Sequence, residues 1–233
     1  MIIAGLQKTT LLDYPKKVAA IIFLAGCNFR CPWCYSSELV LPSLIKMQPV
    51  IAESEVLKFL KSRQGLLDGV VICGGEPTIN RELPELLKKI KDLGFLVKLD
   101  TNGSNPLVLK RLIDNKLIDY VAMDIKFPME RYREVFFDET KTADIAESVT
   151  ILKESGLDHE FRTTVAPGVL DERDFLAMAE WVGDKEKGKY YLQQYKAIKT
   201  IDPEYLKKKP DSPEYLNRIK NLVSPYFAVC EVR

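Results

Sequence analysis

The chain has 233 residues, of which 46% are hydrophobic and 29% are charged, with only 12 glycines and 13 prolines. This composition can bury a substantial core, and it excludes wholesale disorder and low-complexity structure. Basic residues number 34 and acidic residues 33, for a net charge of +1, which argues against nucleic acid as a partner. The length is about one and a half times a usual domain of ~150 residues, and we expect one domain over 1–233.

The first residues contain no apolar run of the signal-peptide type, and the longest apolar stretch, Val18–Ala25, is far too short to cross a bilayer. We therefore expect a cytoplasmic protein without a membrane partner. Three of the five cysteines lie within eight positions, whereas Cys73 and Cys230 stand apart. A secreted disulfide framework does not fit that distribution.

Short apolar runs rich in β-branched residues alternate with segments of helical periodicity, which predicts a βα unit repeated about six times. The predicted strands are Val18–Leu24, Val70–Cys73, Phe95–Leu99, Tyr120–Ile125, Glu160–Val165 and Tyr190–Gln194. The predicted helices between them are Glu53–Arg63, Arg81–Leu93, Pro106–Asn115, Ala143–Ser155 and Glu172–Val182. Asn80 and Asp171 are placed to cap helices, and Gly94 is placed to end one.

No Gly-x-Gly-x-x-Gly turn follows the first predicted strand, which favours a barrel over a dinucleotide-binding sheet, with a doubly wound sheet as the alternative. A full eight-unit barrel needs ~250 residues. The prediction is therefore an α/β fold in the form of a partial, open (β/α)6 TIM-like barrel, with its core at about 16–200. Residues 201–233, with a helix near 214–222 and a strand-like run at 227–232, are expected to form a C-terminal appendage.

A C-x3-C-x2-C loop, made by Cys27, Cys31 and Cys34, directly follows the first predicted strand. Iron–sulfur cubanes usually take four protein thiolates, so three would leave one iron open for a small ligand, by analogy with open zinc sites. A structural zinc site lacks a fourth ligand here, because the single histidine, His159, is distant. A redox dithiol of Cys31 and Cys34 would leave Cys27 unexplained. Both readings stay open as alternatives.

This loop resembles the signature of the radical S-adenosylmethionine enzymes, in which such a loop follows the first strand of a part-barrel. Gly74, Gly75, Glu76 and Pro77 follow the second predicted strand and resemble the family's GGEP motif, which binds the amino group of the methionine moiety. Glycines also let a backbone approach a ligand closely. The resemblance implies two cofactors, a [4Fe–4S] cluster held by the three cysteines and S-adenosylmethionine. The alternative for the GGEP residues is an ordinary tight turn.

Polar residues end the third and fourth predicted strands, where a barrel has its active-site mouth. They are Asp100, Thr101, Asn102, Asp124 and Lys126. These stretches are similar to those of the glycyl radical activating enzymes within the family. There the equivalent residues contact S-adenosylmethionine and, in one branch, a monovalent cation. Turn formation is the alternative reading of these residues.

The later strands extend the resemblance. Arg162 lies in the fifth strand and is a candidate cofactor contact, and 190–195 resembles the sixth strand of the anaerobic ribonucleotide reductase activators. The pyruvate formate-lyase activator has a histidine where Tyr195 aligns, so Gln194 is the candidate for the ribose contact. The opening stretch, 5–15, also resembles the lead-in of the activator subgroup.

The resemblance implies reductive cleavage of S-adenosylmethionine to a 5′-deoxyadenosyl radical, which abstracts hydrogen from a glycine of a glycyl radical enzyme. Anaerobic ribonucleoside-triphosphate reductase is the prime candidate, with flavodoxin or ferredoxin as electron donor. Two alternatives remain. One is a radical enzyme that modifies a small molecule or RNA, and the other is a non-catalytic iron–sulfur electron-transfer module.

Overall fold

The computed structural model describes residues 1–137 and 141–233, and within these ranges the strands form one sheet in sequential order. The strands are β1 (Ile3–Thr10), β2 (Ala19–Leu24), β3 (Gly69–Gly74), β4 (Leu96–Thr101), β5 (Tyr120–Asp124), β6 (His159–Val165), β7 (Asp184–Gln194) and β8 (Phe227–Val232). The α-helices are α1 (Ser37–Val40), α2 (Pro42–Ile45), α3 (Glu53–Lys61), α4 (Leu83–Asp92), α5 (Pro106–Asp114), α6 (Thr142–Glu154), α7 (Glu172–Val182) and α8 (Pro213–Val223). Short 3₁₀ segments cover Pro77–Ile79, Met129–Val135, Pro203–Lys207 and Ser224–Tyr226.

The prediction of an open part-barrel is confirmed. The strands from β2 to β8 run parallel, and helices cross from each to the next, whereas β1 pairs antiparallel with β2. In the sheet described, β1 and β8 are the two edges. The sheet therefore curls without closing.

Both ends of the chain add a strand to the six predicted. β8 pairs parallel with β7, so the predicted appendage continues the βα pattern of the core. β1 was not predicted, because its second half, Gln7–Thr9, is polar and exposed and gives no apolar run. Pairing with β2, with Gln7 opposite Ile21, holds this stretch in strand conformation.

Helix ends agree with the sequence signals at two of three positions. Asp171 caps α7 by accepting from the backbone N–H groups of Arg173 and Asp174, and Gly94 follows α4 with a φ of +88°. The prediction for Asn80 is wrong. The residue before α4 is Glu82, and the Asn80 side chain instead donates to the Pro77 carbonyl.

The two faces of the sheet have different environments. Side chains alternate along each strand, and one set packs with the helices into the main core. The other set faces the barrel interior, where Tyr14 and Tyr120, with ring centroids 6.0 Å apart, fill the amino end. Interior positions at the carboxyl end are polar, which places the predicted site there. No helix in the described ranges is long and apolar enough to cross a membrane.

Candidate active site

The cysteine loop leaves β2 at Gly26, whose φ of +99° suits a glycine. The loop is tied to itself, because the Cys34 N–H donates to the Cys31 carbonyl at 3.0 Å and the Arg30 guanidinium donates to the Cys27 carbonyl at 2.7 Å. All three thiols are free. The three thiols lie on one short loop that its own hydrogen bonds hold together.

Two distant segments hold this loop in place. The Arg30 N–H donates to the Val135 carbonyl at 2.8 Å, at the end of the 3₁₀ segment that follows β5. The Asp202 N–H donates to the Pro32 carbonyl at 3.0 Å, and the ring of Tyr205 lies 6.3 Å from that of Trp33. The C-terminal stretch, for which the sequence predicted no role, thus packs on the cysteine loop.

The thiols fit an iron–sulfur cluster better than the alternatives. Within the described residues, no three His, Cys, Asp or Glu side chains lie close enough together to hold a single metal ion. A cubane does not need such a group, because each of its cysteine ligands binds a different iron. Burial raises the pKa of the Cys27 and Cys31 thiols to about 12 and raises the pKa of Cys34. A redox dithiol depends on a lowered thiol pKa, so that reading is disfavoured. Iron would supply the positive charge that thiolates need in this buried place.

The two glycines of the GGEP motif pack directly against the start of the cysteine loop. A Cβ on Gly75 would lie 1.9 Å from the Gly26 oxygen, and one on Gly74 would lie 2.2 Å from the Leu24 oxygen. The Gly75 and Glu76 N–H groups donate to the Leu24 and Gly26 carbonyls at 2.8 and 2.7 Å. The motif therefore fixes where the cysteine loop begins.

Glu76 is 1% exposed, and its carboxylate is surrounded by donors from neighbouring loops. It accepts from Thr101 Oγ1 at 2.7 Å, from the Asn102 N–H at 2.6 Å, and from the N–H and hydroxyl of Thr78. Burial raises the pKa of this carboxyl, and the hydrogen bonds oppose that rise. Glu76 and Thr101 were expected to contact the cofactor, and this stays a prediction. In the structure both residues brace the neighbouring loops, and Thr101 alternates with Asp100 and points away from the interior.

Asn102 connects this brace to the cysteine loop. Its amide donates to Asn28 Oδ1 at 3.0 Å, and the Asn28 amide donates to Ser104 Oγ at 2.8 Å. Ser104 in turn donates its N–H to Asn102 Oδ1 at 2.9 Å. Because Asn28 follows Cys27 in sequence, Asn102 acts on the cysteine loop rather than on the mouth.

Four of the predicted residues meet at the interior face as an ion-pair network. Arg162 bridges two strand ends, with Nε 2.9 Å from Asp124 Oδ1 and Nη1 3.0 Å from Asp100 Oδ2. Lys126 Nζ lies 3.0 Å from Asp124 Oδ2. A further buried lysine, Lys98, pairs with Asp100. We call these five residues the mouth network, and it holds three cations and two carboxylates.

The mouth network keeps the Asp124 carboxylate charged. Burial opposes ionisation of Asp124, but the charges of Arg162 and Lys126 outweigh it and lower the carboxyl pKa to about 2. The charge of Asp124 helps to raise the pKa of Lys126 in return, against the effect of burial. Lys126 also lies close enough to lower the thiol pKa of Cys31 and Cys34 against the larger effect of burial. The network and the cysteine loop therefore form one electrostatic unit.

Gln194 does not join this group, and its role as a ribose contact stays a prediction. Gln194 pairs with Val165 and shares its face with the buried Leu192, and its amide donates to the Asp211 carbonyl at 3.2 Å. The interior position of this strand is Gln193, one residue earlier. The alternation of side chains along a strand decides this, and a one-residue difference reverses the face.

Sequence reasoning missed Lys98 and left Tyr35 without a role. Lys98 interrupts an apolar strand two positions before Asp100, and this spacing was a usable signal because i and i+2 share a face. Tyr35 directly follows Cys34 and is 56% exposed. The charges of Asp124, Arg162 and Lys126 all act on its hydroxyl, so Tyr35 lies beside the mouth network. No local sequence pattern indicated that Asn28 would hydrogen-bond to the loop after β4.

The chain is similar to known proteins over most of its length. The radical SAM superfamily pattern matches residues 21–182. A Methanocaldococcus jannaschii protein named "Putative glycyl-radical enzyme activating enzyme" is 33% identical over 234 residues, covering 97% of this chain and 93% of its own. A 7-carboxy-7-deazaguanine synthase of Aquifex aeolicus is 36% identical over 86 residues, 37% of this chain and 36% of its own.

The fold also matches a solved structure. Streptococcus suis SuiB bound to S-adenosylmethionine superposes with a TM-score of 0.67 at 14% identity. The match covers 91% of this chain and 51% of SuiB, so this chain spans about half of that protein. At this identity the likeness concerns the fold.

Proposed function

Because the chain belongs to the radical SAM superfamily, we propose that it is a glycyl radical enzyme activating enzyme. The observation that carries this proposal is the 33% identity to a relative of that name over nearly the full length of both chains. That match includes the C-terminal part, which lies beyond the superfamily pattern. The open barrel supports the proposal, because it leaves access for a protein loop.

The superfamily implies a [4Fe–4S] cluster and S-adenosylmethionine, which together supply reductive cleavage of the sulfonium to methionine and a 5′-deoxyadenosyl radical. Cys27, Cys31 and Cys34 are the residues that would hold the cluster. With three protein thiolates, one iron is left for the cofactor. Gly74 and Gly75, which are half-buried beside the loop, are the residues proposed to accept the methionine end.

The mouth network would hold the other end of the cofactor. Asp100 and Asp124 are ion-paired, yet a carboxylate offers about four acceptor sites, so both can accept hydroxyl groups without losing Arg162. Lys126 supplies a charge near the cysteines. A monovalent cation stays a prediction, and side-chain cations already contact both carboxylates that it would use.

The proposed substrate is a glycine in the loop of a glycyl radical enzyme, with anaerobic ribonucleoside-triphosphate reductase as the first candidate. Its support is the resemblance of residues 190–195 to the activators of that reductase. Abstraction of one hydrogen from the glycine Cα leaves the radical on that carbon. The proposed electron donor is reduced flavodoxin or ferredoxin, and the proposed location is the cytoplasm.

The test is anaerobic reconstitution with iron and sulfide, followed by dithionite, S-adenosylmethionine and anaerobic ribonucleoside-triphosphate reductase carrying α-deuterated glycine. We expect 5′-deoxyadenosine that contains deuterium and a glycyl radical signal in electron paramagnetic resonance. Cys31→Ala should lose the cluster and both products. Cys230→Ala is the matched control, because Cys230 lies on β8 with its thiol directed at the Lys220 carbonyl of α8, and it should keep all three.

Two results would contradict the proposal at different levels. A loaded protein that never cleaves the cofactor would overturn the activity and favour an electron-transfer module. Cleavage without deuterium transfer or a glycyl radical would overturn the substrate. The similarity to a 7-carboxy-7-deazaguanine synthase makes a radical modification of a small molecule the second candidate, for which purine-like substrates should then be assayed.

A further inference from the structure

A cleft of about 810 Å³ lies outside the barrel, between the segment that leads into α4 and the first half of α5. We call it the α4–α5 cleft. It is lined by Asn28, Thr78, Ile79, Asn80, Arg81, Pro84, Ser104, Asn105, Val108, Arg111 and Asp144. The proposed activity assigns no role to this cleft.

The α4–α5 cleft reaches the cysteine loop from behind. Asn28 lines it, and the Cα of Asn28 is one trans peptide, ~3.8 Å, from the Cα of Cys27. The wall between cleft and loop is hydrogen-bonded, because Asn28 donates to Ser104 and the Asn105 amide donates to Thr78 Oγ1 at 3.0 Å. The wall of the cleft therefore includes one residue of the cysteine loop itself, Asn28.

The cleft carries unbalanced positive charge. Arg81 and Arg111 are exposed, and neither forms an ion pair with the residues that the structure describes. The lysines of α4 and α5 are all paired, with Lys88 on Asp92 and Lys110 on Asp114 as examples. The acidic residue of the lining, Asp144, accepts the Lys141 N–H at the start of α6.

Under the proposed function, the cofactor and the substrate would fill the barrel mouth during turnover. The mouth network faces the interior, where the proposed function places the cofactor and the substrate glycine. The α4–α5 cleft lies on the outer, helix-covered side of the sheet. It offers a second approach to the same loop while the mouth is filled.

We propose that the α4–α5 cleft is the docking site of a small acidic electron-carrier protein, with Arg81 and Arg111 as its recognition charges. This inference rests on the proposed function, which requires a supply of single electrons. In the step, one electron leaves the reduced flavin of the carrier, which is oxidised, and enters the cluster, which is reduced. The two arginines attract the acidic rim, and such charge pairs raise the association rate and make it sensitive to salt.

The test compares two double variants of the reconstituted holoprotein with reduced flavodoxin as the carrier. Arg81→Glu/Arg111→Glu reverses the cleft charges. Lys185→Glu/Lys187→Glu makes the same change in net charge at the amino end of β7, the opposite end of the barrel from the cysteine loop. The measurements are the flavodoxin dissociation constant at two salt concentrations, and the rate of 5′-deoxyadenosine formation driven by flavodoxin or by dithionite.

We expect the cleft variant to bind flavodoxin at least tenfold more weakly at low salt and to lose most of the wild-type salt dependence. Its flavodoxin-driven rate should fall by a similar factor, whereas its dithionite-driven rate and that of the lysine control stay near wild type. Binding and flavodoxin-driven rates that match the wild type would overturn the docking site. If dithionite also yields no 5′-deoxyadenosine with the wild type, the proposed function has failed, and the binding titration still decides the docking site.

Discussion

Gly75 is a position at which the site has no room for even one extra carbon. Its Cβ would meet the backbone of Gly26, one residue before the first cysteine. The neighbouring Glu76 is almost as constrained, because its carboxylate gathers donors from two loops. The GGEP motif therefore has a structural role in addition to any contact with the cofactor, because it holds the start of the cysteine loop in position.

Gly75→Ala should lower the free energy of unfolding by more than about 2 kcal/mol, because a backbone clash cannot be relieved by a side-chain rotation. It should also lower the iron content after reconstitution. Urea denaturation and iron analysis are the measurements. Gly156→Ala is the control, since its φ is +69° but no atom lies within 4 Å of the new Cβ, and it should cost only about 1 kcal/mol. Equal effects would show that the clash does not govern the loop.

The segment 202–207 contacts the cysteine loop at the scale of whole elements. Asp202 donates to Pro32, and Tyr205 packs on Trp33, which is 5% exposed. An apolar cover over a cluster controls solvent access and thereby its potential. This part of the chain therefore belongs to the site, although it lies about 170 residues from the cysteines in sequence.

Tyr205→Ala should expose Trp33 to solvent. In a Trp181→Phe background, Trp33 is the only tryptophan, so its fluorescence reports the loop alone. We expect acrylamide to quench this fluorescence about twofold more efficiently in the variant, since a fully buried ring becomes accessible on one side. Tyr215→Ala, on α8, is the control and should leave quenching unchanged. Unchanged quenching in both variants would mean that the segment does not shield the loop.

At the scale of the whole molecule, the last unit of the chain continues the sheet. The ring of Phe227 on β8 stacks on that of Tyr190 on β7, with centroids 4.7 Å apart, and Phe227 is buried. Residues 1–233 are accordingly proposed to unfold as one cooperative unit, in which the last helix and strand are part of the core.

Phe227→Ala should lower the free energy of unfolding of the whole chain by about 3–5 kcal/mol, the usual cost of removing a buried phenylalanine. The transition should stay single in both circular dichroism and tryptophan fluorescence. Val229→Ala, at a 36% exposed position of the same strand, should change it by less than about 1 kcal/mol. Two separate transitions would show that residues 201–233 fold independently.

Local patterns predicted most of the elements and the place of the site. A β-branched run or a helical period can be recognised within about ten residues, so these elements were found from local sequence. The motifs directly follow strands, so Cys27, Asp100 and Asp124 were correctly placed at strand ends. The strand β1 was missed because its polar half becomes a strand only through pairing with β2. Asn80 was misplaced as a cap because α4 begins at Leu83, two residues later than the pattern predicted.

The sequence by itself determined the alternation of six strands and their helices along the chain, the cysteine loop and the polar strand ends, because each depends on neighbours in the chain. Only the tertiary structure decided which way the side chains face and what they contact. Asn28 and Ser104 are 76 positions apart, and Arg162 lies 62 positions from Asp100. Such pairs form when parallel strands bring their carboxyl ends together, and their hydrogen bonds depend on a geometry that no local pattern contains.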